Sequence, residues 1–191
     1  MPAMLGRLKI GPLLLALARR HPQLSLELGF SDRLVDLAEE GLDLAIRSGD
    51  LGDSTALVAR LVGMQWMVLC AAPSYLAERG RPQGIEDLKP PHEAVLYARD
   101  GAASAWRFHA GDRVAEVLLE AAIGGMGLAR LPAWLAAEAL AAGTLVRVFD
   151  EPRPFGFALH VIRARSRYLP LKTRVVIDWL AEHLPPLLAT D

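Results

Sequence analysis

Residues 24–72 constrain the fold more than any other part of the 191-residue chain. Leu24, Leu26, Leu28 and Phe30 share one parity while Ser25, Glu27 and Gly29 take the other, the alternation of a half-buried strand over residues 24–30. Ser31 then stands where a helix cap belongs, and Asp32 suits the positive end of a helix. Leu34, Val35, Leu37 and Ala38 supply an apolar face that stops at Gly41. A second strand is predicted at 42–47. Strand, helix and strand in so few residues predict a right-handed crossover between parallel strands. After the polar, glycine-bearing loop 48–54, the run 66–72 is apolar throughout and predicts a strand covered on both faces.

The flanking sequence extends the same α/β pattern. Leu5, Leu8, Leu13 and Leu17 recur at helical spacing and predict an amphipathic helix over 5–20, in which Pro12 removes a hydrogen bond and introduces a kink. Residues 73–79 predict a short helix closed by Gly80-Arg81-Pro82, and 85–88 a single helical turn stopped by Pro90-Pro91. Strands are predicted at 94–98 and 105–109, a helix at 114–123, then the glycine run 124–127 and a short strand at 128–131. Pro132 opens an alanine-rich helix to Ala142 with Gly143 as its terminator. Strands at 145–149 and 157–162 precede a closing amphipathic helix, 169–184, with Val175, Val176, Trp179, Leu180 and His183 on or near one stripe.

Composition bounds the function classes. The chain is 52% hydrophobic and 23% charged, and no apolar run is long enough to span a bilayer. A formal net charge of -1 gives no global attraction to nucleic acid, so DNA binding needs a local basic surface or another domain. The single cysteine, Cys70, precludes an internal disulfide and any multi-cysteine metal site, and fits a reducing cytoplasm. At the amino terminus, Arg7 and Lys9 precede the apolar run 10–18, and Ala16-Leu17-Ala18 imitates a signal-peptidase box. Gly11-Pro12 interrupts that core, which favours a retained helix over an exported protein.

No catalytic constellation is present. The five histidines, His21, His92, His109, His160 and His183, lack metal-ligand spacing, and no cofactor is expected. Cys70 lies in an apolar strand and reads as a small core residue. Asp36, Glu39 and Glu40 occupy positions that a solvated helix face explains. The glycine run precedes a strand instead of opening a helix, and Arg130 stands where the third glycine of a dinucleotide fingerprint belongs, so a tight turn explains it better. The basic run Arg163, Arg165 and Arg167, with Lys172 and Arg174, reads as a solvated loop more readily than as a nucleic-acid surface. In open α/β sheets ligands gather outside the carboxyl ends of parallel strands, which singles out the turns after Phe30 and Arg47.

The segment SDRLVDLAEEGLDLAIRSGDLGDSTALVARLVG, followed by VLCAAPSYLAERGRPQGIEDL, resembles the effector-binding domain of LysR-type transcription regulators. The order of these motifs extends the resemblance over residues 5–184. It implies a two-lobed, type II periplasmic-binding-protein-like α/β fold with mixed sheets flanked by helices. Lobe I would comprise 1–74 plus 155–191, and a shortened lobe II 75–154, since residues 112–116 leave little room for a further strand seen in the family. The family's helix-turn-helix has no counterpart here, so DNA would be reached only indirectly, through a domain absent from this chain. The implied function is sensing of a small-molecule effector in a cytoplasmic homodimer or higher oligomer, with no enzymatic activity and no membrane partner. A truncated regulator fits. The alternatives are a free-standing solute-binding protein and a nonfunctional remnant. Carried over by position, the effector contacts would be Ala3, Met4, Ser31, Asp32, Ser48, Gly49, Gly125 and Met126. Ala3 and Met4 stand where many relatives have a hydroxyl, which weakens the expectation of a carboxylate effector there. The dimer interface would pair residues 5–30 with 133–142 of a second copy, through Leu5, Leu8, Leu13, Leu28, Trp134 and Glu138.

Overall fold

The computed structural model describes residues 1–33, 36–52, 54–88, 90–95, 98–99, 102–103, 125–151 and 155–189. Its contacts divide the chain into a first unit, Met1–Gln65 with Phe157–Ala189, and a second, Trp66–Gly156 with the last two residues. This division falls inside a strand, earlier than the lobe boundary expected after residue 74.

The first unit opens with α1 (Ala3–Leu5), a π-helical turn Gly6–Ile10 and α2 (Gly11–Arg20). The kink expected from Pro12 takes the form of that wide turn. Pro12 has no N–H to donate, and the Gly11 amide reaches back five residues to Gly6 O. A side chain at Gly11 would lie 2.9 Å from that same oxygen. Strand β1 (Ala45–Ser48) pairs antiparallel with β7 (Gly156–Ala164), and β7 is in turn hydrogen-bonded to β2 (Leu57–Ala71). The closing helix α5 (Leu171–Leu188) is tied to α2 by the Trp179 indole, which donates to Leu13 O at 2.9 Å. Arg20 lies 4.8 Å from the Trp179 ring and His183 stacks on it at 3.6 Å, so the last turn of α2 is held by an aromatic platform.

Several expectations are corrected in this unit. Residues 24–30 alternate in exposure as predicted, the leucines half-buried and Ser25, Glu27 and Gly29 exposed, yet they form no strand. At their end Met1 forms a ladder-like rung, its N donating to Gly29 O and its carbonyl accepting from Ser31 N. The helix predicted after Ser31 is reduced, among described residues, to a turn over 37–41. Its cap is Asp36, whose Oδ1 accepts from Ala38 N at 2.7 Å and Glu39 N at 3.2 Å. Its end is a Schellman motif: Gly41 at φ +63 donates to Ala38 O and Leu42 to Leu37 O. The parallel crossover is therefore not formed between these segments, since β1 finds an antiparallel partner more than a hundred residues away. The strand expected at 66–72 begins much earlier, at Leu57. Its amino-terminal part, with Arg60 and Leu61 exposed, lacks the continuous apolar signal.

In the second unit, Met67–Cys70 of β2 pair antiparallel with β5 (Ala129–Pro132), and Cys70–Ala71 pair with β6 (Val146–Arg147). Helix α3 (Pro73–Arg79) and the turn Ile85–Asp87 match the predicted positions, as does α4 (Ala133–Ala141), which Gly143 closes at φ +72. Val68, Leu69, Leu128, Leu131, Ala136 and Leu145 form its core with Cys70. The strand predicted at 94–98 is a parallel bridge between Ala94 and Leu128, then a two-residue hairpin of β3 (Ala98–Arg99) with β4 (Ala102–Ala103). The strand predicted at 105–109, the helix at 114–123 and the shortened segment 112–116 lie outside the described residues. The mixture of antiparallel ladders and a parallel bridge, flanked by helices, is the expected α/β class.

Gly127 allows a close backbone approach in this unit, because a Cβ there would sit 2.5 Å from Glu93 O. Gly127→Ala should therefore cost roughly 1–3 kcal/mol in urea unfolding, while Gly84→Ala, with nothing within 4 Å of an added Cβ, should be near neutral. Burial pushes the Cys70 thiol up to about 12 from an ordinary 9.0, partly opposed by Arg147. The folded chain then keeps a proton that the unfolded chain loses. The stability this contributes is full below pH 9 and is lost as pH rises toward 12. Thiol reagents should label Cys70 only after urea unfolds the protein, and Cys70→Ala should show a shallower loss of stability between about pH 9 and 11.

Candidate functional site

In the first unit, the turn after residue 30 and the start of α1 meet. Asp32 Oδ1 accepts from Ala3 N at 3.0 Å, which ties the start of α1 to the turn that carries Ser31 and Asp32. The contact makes Asp32 a structural group, because its carboxylate satisfies a free amide at a helix start. Ser31 Oγ accepts from Arg33 N at 3.1 Å, an i to i+2 turn, which leaves its O–H able to donate outward. Gly6 carries no side chain because Met1 and Phe30 pack over it, both within 2.7 Å of an added Cβ. Arg7 lies 5.8 Å from the centre of the Phe30 ring.

Ser48 is exposed at the end of β1, opposite Leu159 in register. Gly49 adopts φ +91, which favours glycine, and its N–H is committed to Ala158 O at 2.9 Å. The hydroxyl of Ser48 is thus the more available group of this pair. Among the described residues, the hydrogen bonds of Ser48 and Gly49 run to the β7 side of the sheet and not to the Ser31 turn.

In the second unit, Gly125 adopts φ +73 and Met126 is 66% exposed. An added Cβ on Gly125 would lie 3.3 Å from Ser74 Oγ, which places a hydroxyl at the start of α3 beside the glycine loop. Sequence reasoning missed Ser74; its only signal is the Pro73-Ser74 pair at a predicted helix start. Arg130, in the strand that follows the loop, is 4% exposed, and its guanidinium donates to both carboxylate oxygens of Glu151 at 2.9 and 2.6 Å. Burial lowers the Arg130 pKa and Glu151 opposes that shift. Tyr75 holds the other side: its hydroxyl accepts from Glu93 N at 2.7 Å and lies 3.4 Å from His92 Nδ1.

Among the described residues no group of three or more His, Cys, Asp or Glu is placed to hold a metal. No helix among them is long and apolar enough to cross a membrane. Of the expected interface residues, Leu5 and Trp134 are buried at 3% and 8% exposure, Leu13 and Leu28 are half-buried, and Leu8 and Glu138 are exposed. The apolar side chains that α1, the π turn and α2 present to solvent are Met4, Leu8 and Leu15.

Residues 1–185 match the family described as the LysR substrate binding domain. The chain is 34% identical to the HTH-type transcriptional regulator DmlR of Escherichia coli, over 94% of this chain and 64% of DmlR. It is 33% identical to an uncharacterized HTH-type transcriptional regulator of Haemophilus influenzae, over 90% of this chain and 63% of that protein. It thus spans under two thirds of the length of these relatives. The regulatory domain of CrgA, a LysR-type transcriptional regulator from Neisseria meningitidis, superposes with a TM-score of 0.76 at 24% identity, covering 96% of both chains. The effector domain of AmpR from Pseudomonas aeruginosa gives a TM-score of 0.68 at 27% identity, over 91% of this chain and 88% of that one. With the α/β architecture of both units, these matches show that the chain belongs to the LysR substrate-binding domain family.

Proposed function

We propose that this domain is the effector-sensing, self-associating part of a LysR-type transcription regulator, acting in the cytoplasm without catalysis of its own. The observation that carries this reading is the match of residues 1–185 to the family. DNA is reached through a helix-turn-helix domain outside this sequence, in keeping with a net charge of -1. No observation favours the exported solute-binding alternative.

The proposed effector contacts divide by chemistry. In the first unit they are the hydroxyls of Ser31 and Ser48, with Ala3, Met4 and Gly49 shaping the surface and Asp32 holding the Ser31 turn. In the second they are Gly125 and Met126, with Ser74 added. The Asp32 carboxylate beside Ala3 disfavours a carboxylate effector at the start of α1, because like charges there repel. A neutral or hydroxyl-bearing effector group is the better match. Effector binding would shift the population of domain conformations, and with it the geometry of the oligomer.

Self-association is proposed to cover Met4, Leu8 and Leu15, with Leu28 and the exposed Glu138 of α4 at the contact. Leu5 and Trp134 then support the interface from within, and Leu13 keeps its carbonyl on Trp179.

A thermal-shift screen of small neutral and acidic metabolites should yield a stabilising compound whose affinity falls about fivefold in Ser31→Ala and in Ser48→Ala, one neutral hydrogen bond each. Full retention of affinity in both variants would remove these contacts. Leu8→Glu should shift the protein toward monomer in sedimentation equilibrium with its circular dichroism unchanged. In gel shifts the chain should show no sequence-specific DNA binding, and tight specific binding would overturn the assignment of DNA reading to another domain.

A further inference from the structure

A cavity of about 130 Å³ opens in the first unit, where the sheet meets α5. Its lining is mainly aliphatic, and three arginines contribute to it. Along β2, Val58, Arg60 and Val62 share one face by the two-residue period, and along β7 Leu159, Val161 and Arg163 do the same. Deep in the sheet this parity is core: Val62 and Val161 are 2% exposed and Leu159 is fully buried. At the cavity the same stripe turns to arginine, with Val58 and Arg60 on one strand and Val161 and Arg163 on the next. Helix α5 supplies Ile177 and, one turn earlier, Arg174, and Leu169 completes the lining.

The charges around it do not balance. Arg60 is paired with Asp178. Among the described residues, Arg163 donates only to the carbonyl of its neighbour Ala164, at 3.0 Å, and the Arg174 side chain makes no hydrogen bond or ion pair. Four members of the basic run noted in the sequence thereby separate into two pairs. Arg165 donates to Thr55 O and Lys172 pairs with Asp43, both at 2.7 Å, so these two hold structure. Arg163 and Arg174 are instead gathered at one opening.

We propose that this cavity is a binding site for a short-chain aliphatic monocarboxylate, its chain on Val58, Val161, Leu169 and Ile177 and its carboxylate between Arg163 and Arg174. Guanidinium groups bind carboxylates through paired, charge-assisted hydrogen bonds. With Arg60 committed to Asp178, the aliphatic part of the lining offers no group to satisfy a second charge, which disfavours dicarboxylates. The volume, well below the roughly 300–1,000 Å³ of drug-sized pockets, suits a compact guest. None of these residues belongs to the contacts proposed above for the effector, so the two readings stand or fall separately.

Isothermal titration of the intact chain with hexanoate, hexan-1-ol, acetate and adipate tests the site. Hexanoate should bind saturably and at least about tenfold more tightly than the other three, since it alone has both one charge and a chain. The double variant Arg163→Gln/Arg174→Gln should lose at least about tenfold in hexanoate affinity, and Ser31→Ala and Ser48→Ala should lose none. Asp178→Asn, which releases Arg60 from its ion pair, should tighten hexanoate binding. Equal binding of hexan-1-ol or adipate, undiminished binding by the double variant, or loss of binding in the serine variants would each overturn the proposal. If the double variant loses its native circular dichroism, Asp178→Asn decides: unchanged or weaker hexanoate binding then overturns it.

Discussion

Strand β2 carries the hydrogen bonding on which both units rely. Its early residues serve the sheet with β7 in the first unit, and Met67–Ala71 supply the ladders to β5 and β6 in the second. A buried peptide group left without a partner costs about as much as a lost hydrogen bond. The register of this one strand therefore fixes what every neighbouring strand can do. Its burial follows the same division: Val68–Ala71 are inside, where β5 and the core of the second unit cover them, while Arg60 and Leu61 remain in solvent.

Around that strand, close packing and charge place the candidate functional groups. Gly127 lets the glycine loop touch the backbone at Glu93, and the buried Arg130–Glu151 pair fixes the strand that follows. A buried ion pair contributes little net stability, but loss of either partner would strand the other charge, so it serves to define geometry. In the first unit the Asp32 carboxylate ties the Ser31 turn to the start of α1, which leaves the two serine hydroxyls as better candidates for ligand contact than the carboxylate. The basic residues divide in the same way. Arg165 and Lys172, with carbonyl and carboxylate partners, hold loops together, and Arg163 and Arg174 stand at the rim of an aliphatic cavity.

Much of the architecture was legible because local chemistry and tertiary packing agreed. Pro132 and Gly143 bracket α4, Gly80 ends α3, and Val68–Ala71 of the apolar run at 66–72 are interior strand while Trp66 is exposed, the first three for reasons contained within a few residues. The alternation of Leu24, Leu26 and Leu28 correctly gave the buried side of that segment, yet not its hydrogen-bond partner, because periodicity reports which face meets the core and says nothing about who lies alongside. Ser31 was a plausible cap, but Asp36 took that role five residues later, where a single turn could also close on Gly41. The amino-terminal part of β2 was illegible, since its exposed Arg60 and Leu61 break the apolar run.

By itself the sequence determined the α/β class, the family and the positions of the turns that bear candidate contacts, because these rest on short-range periodicity, on glycine and proline backbone limits, and on the order of motifs along the chain. Only tertiary structure decided that β1 pairs with β7, that Ser74 lies by the glycine loop, and that Arg60, Arg163 and Arg174 converge. Those facts join residues far apart in sequence, and no local propensity encodes a contact whose two halves are separated by most of the chain.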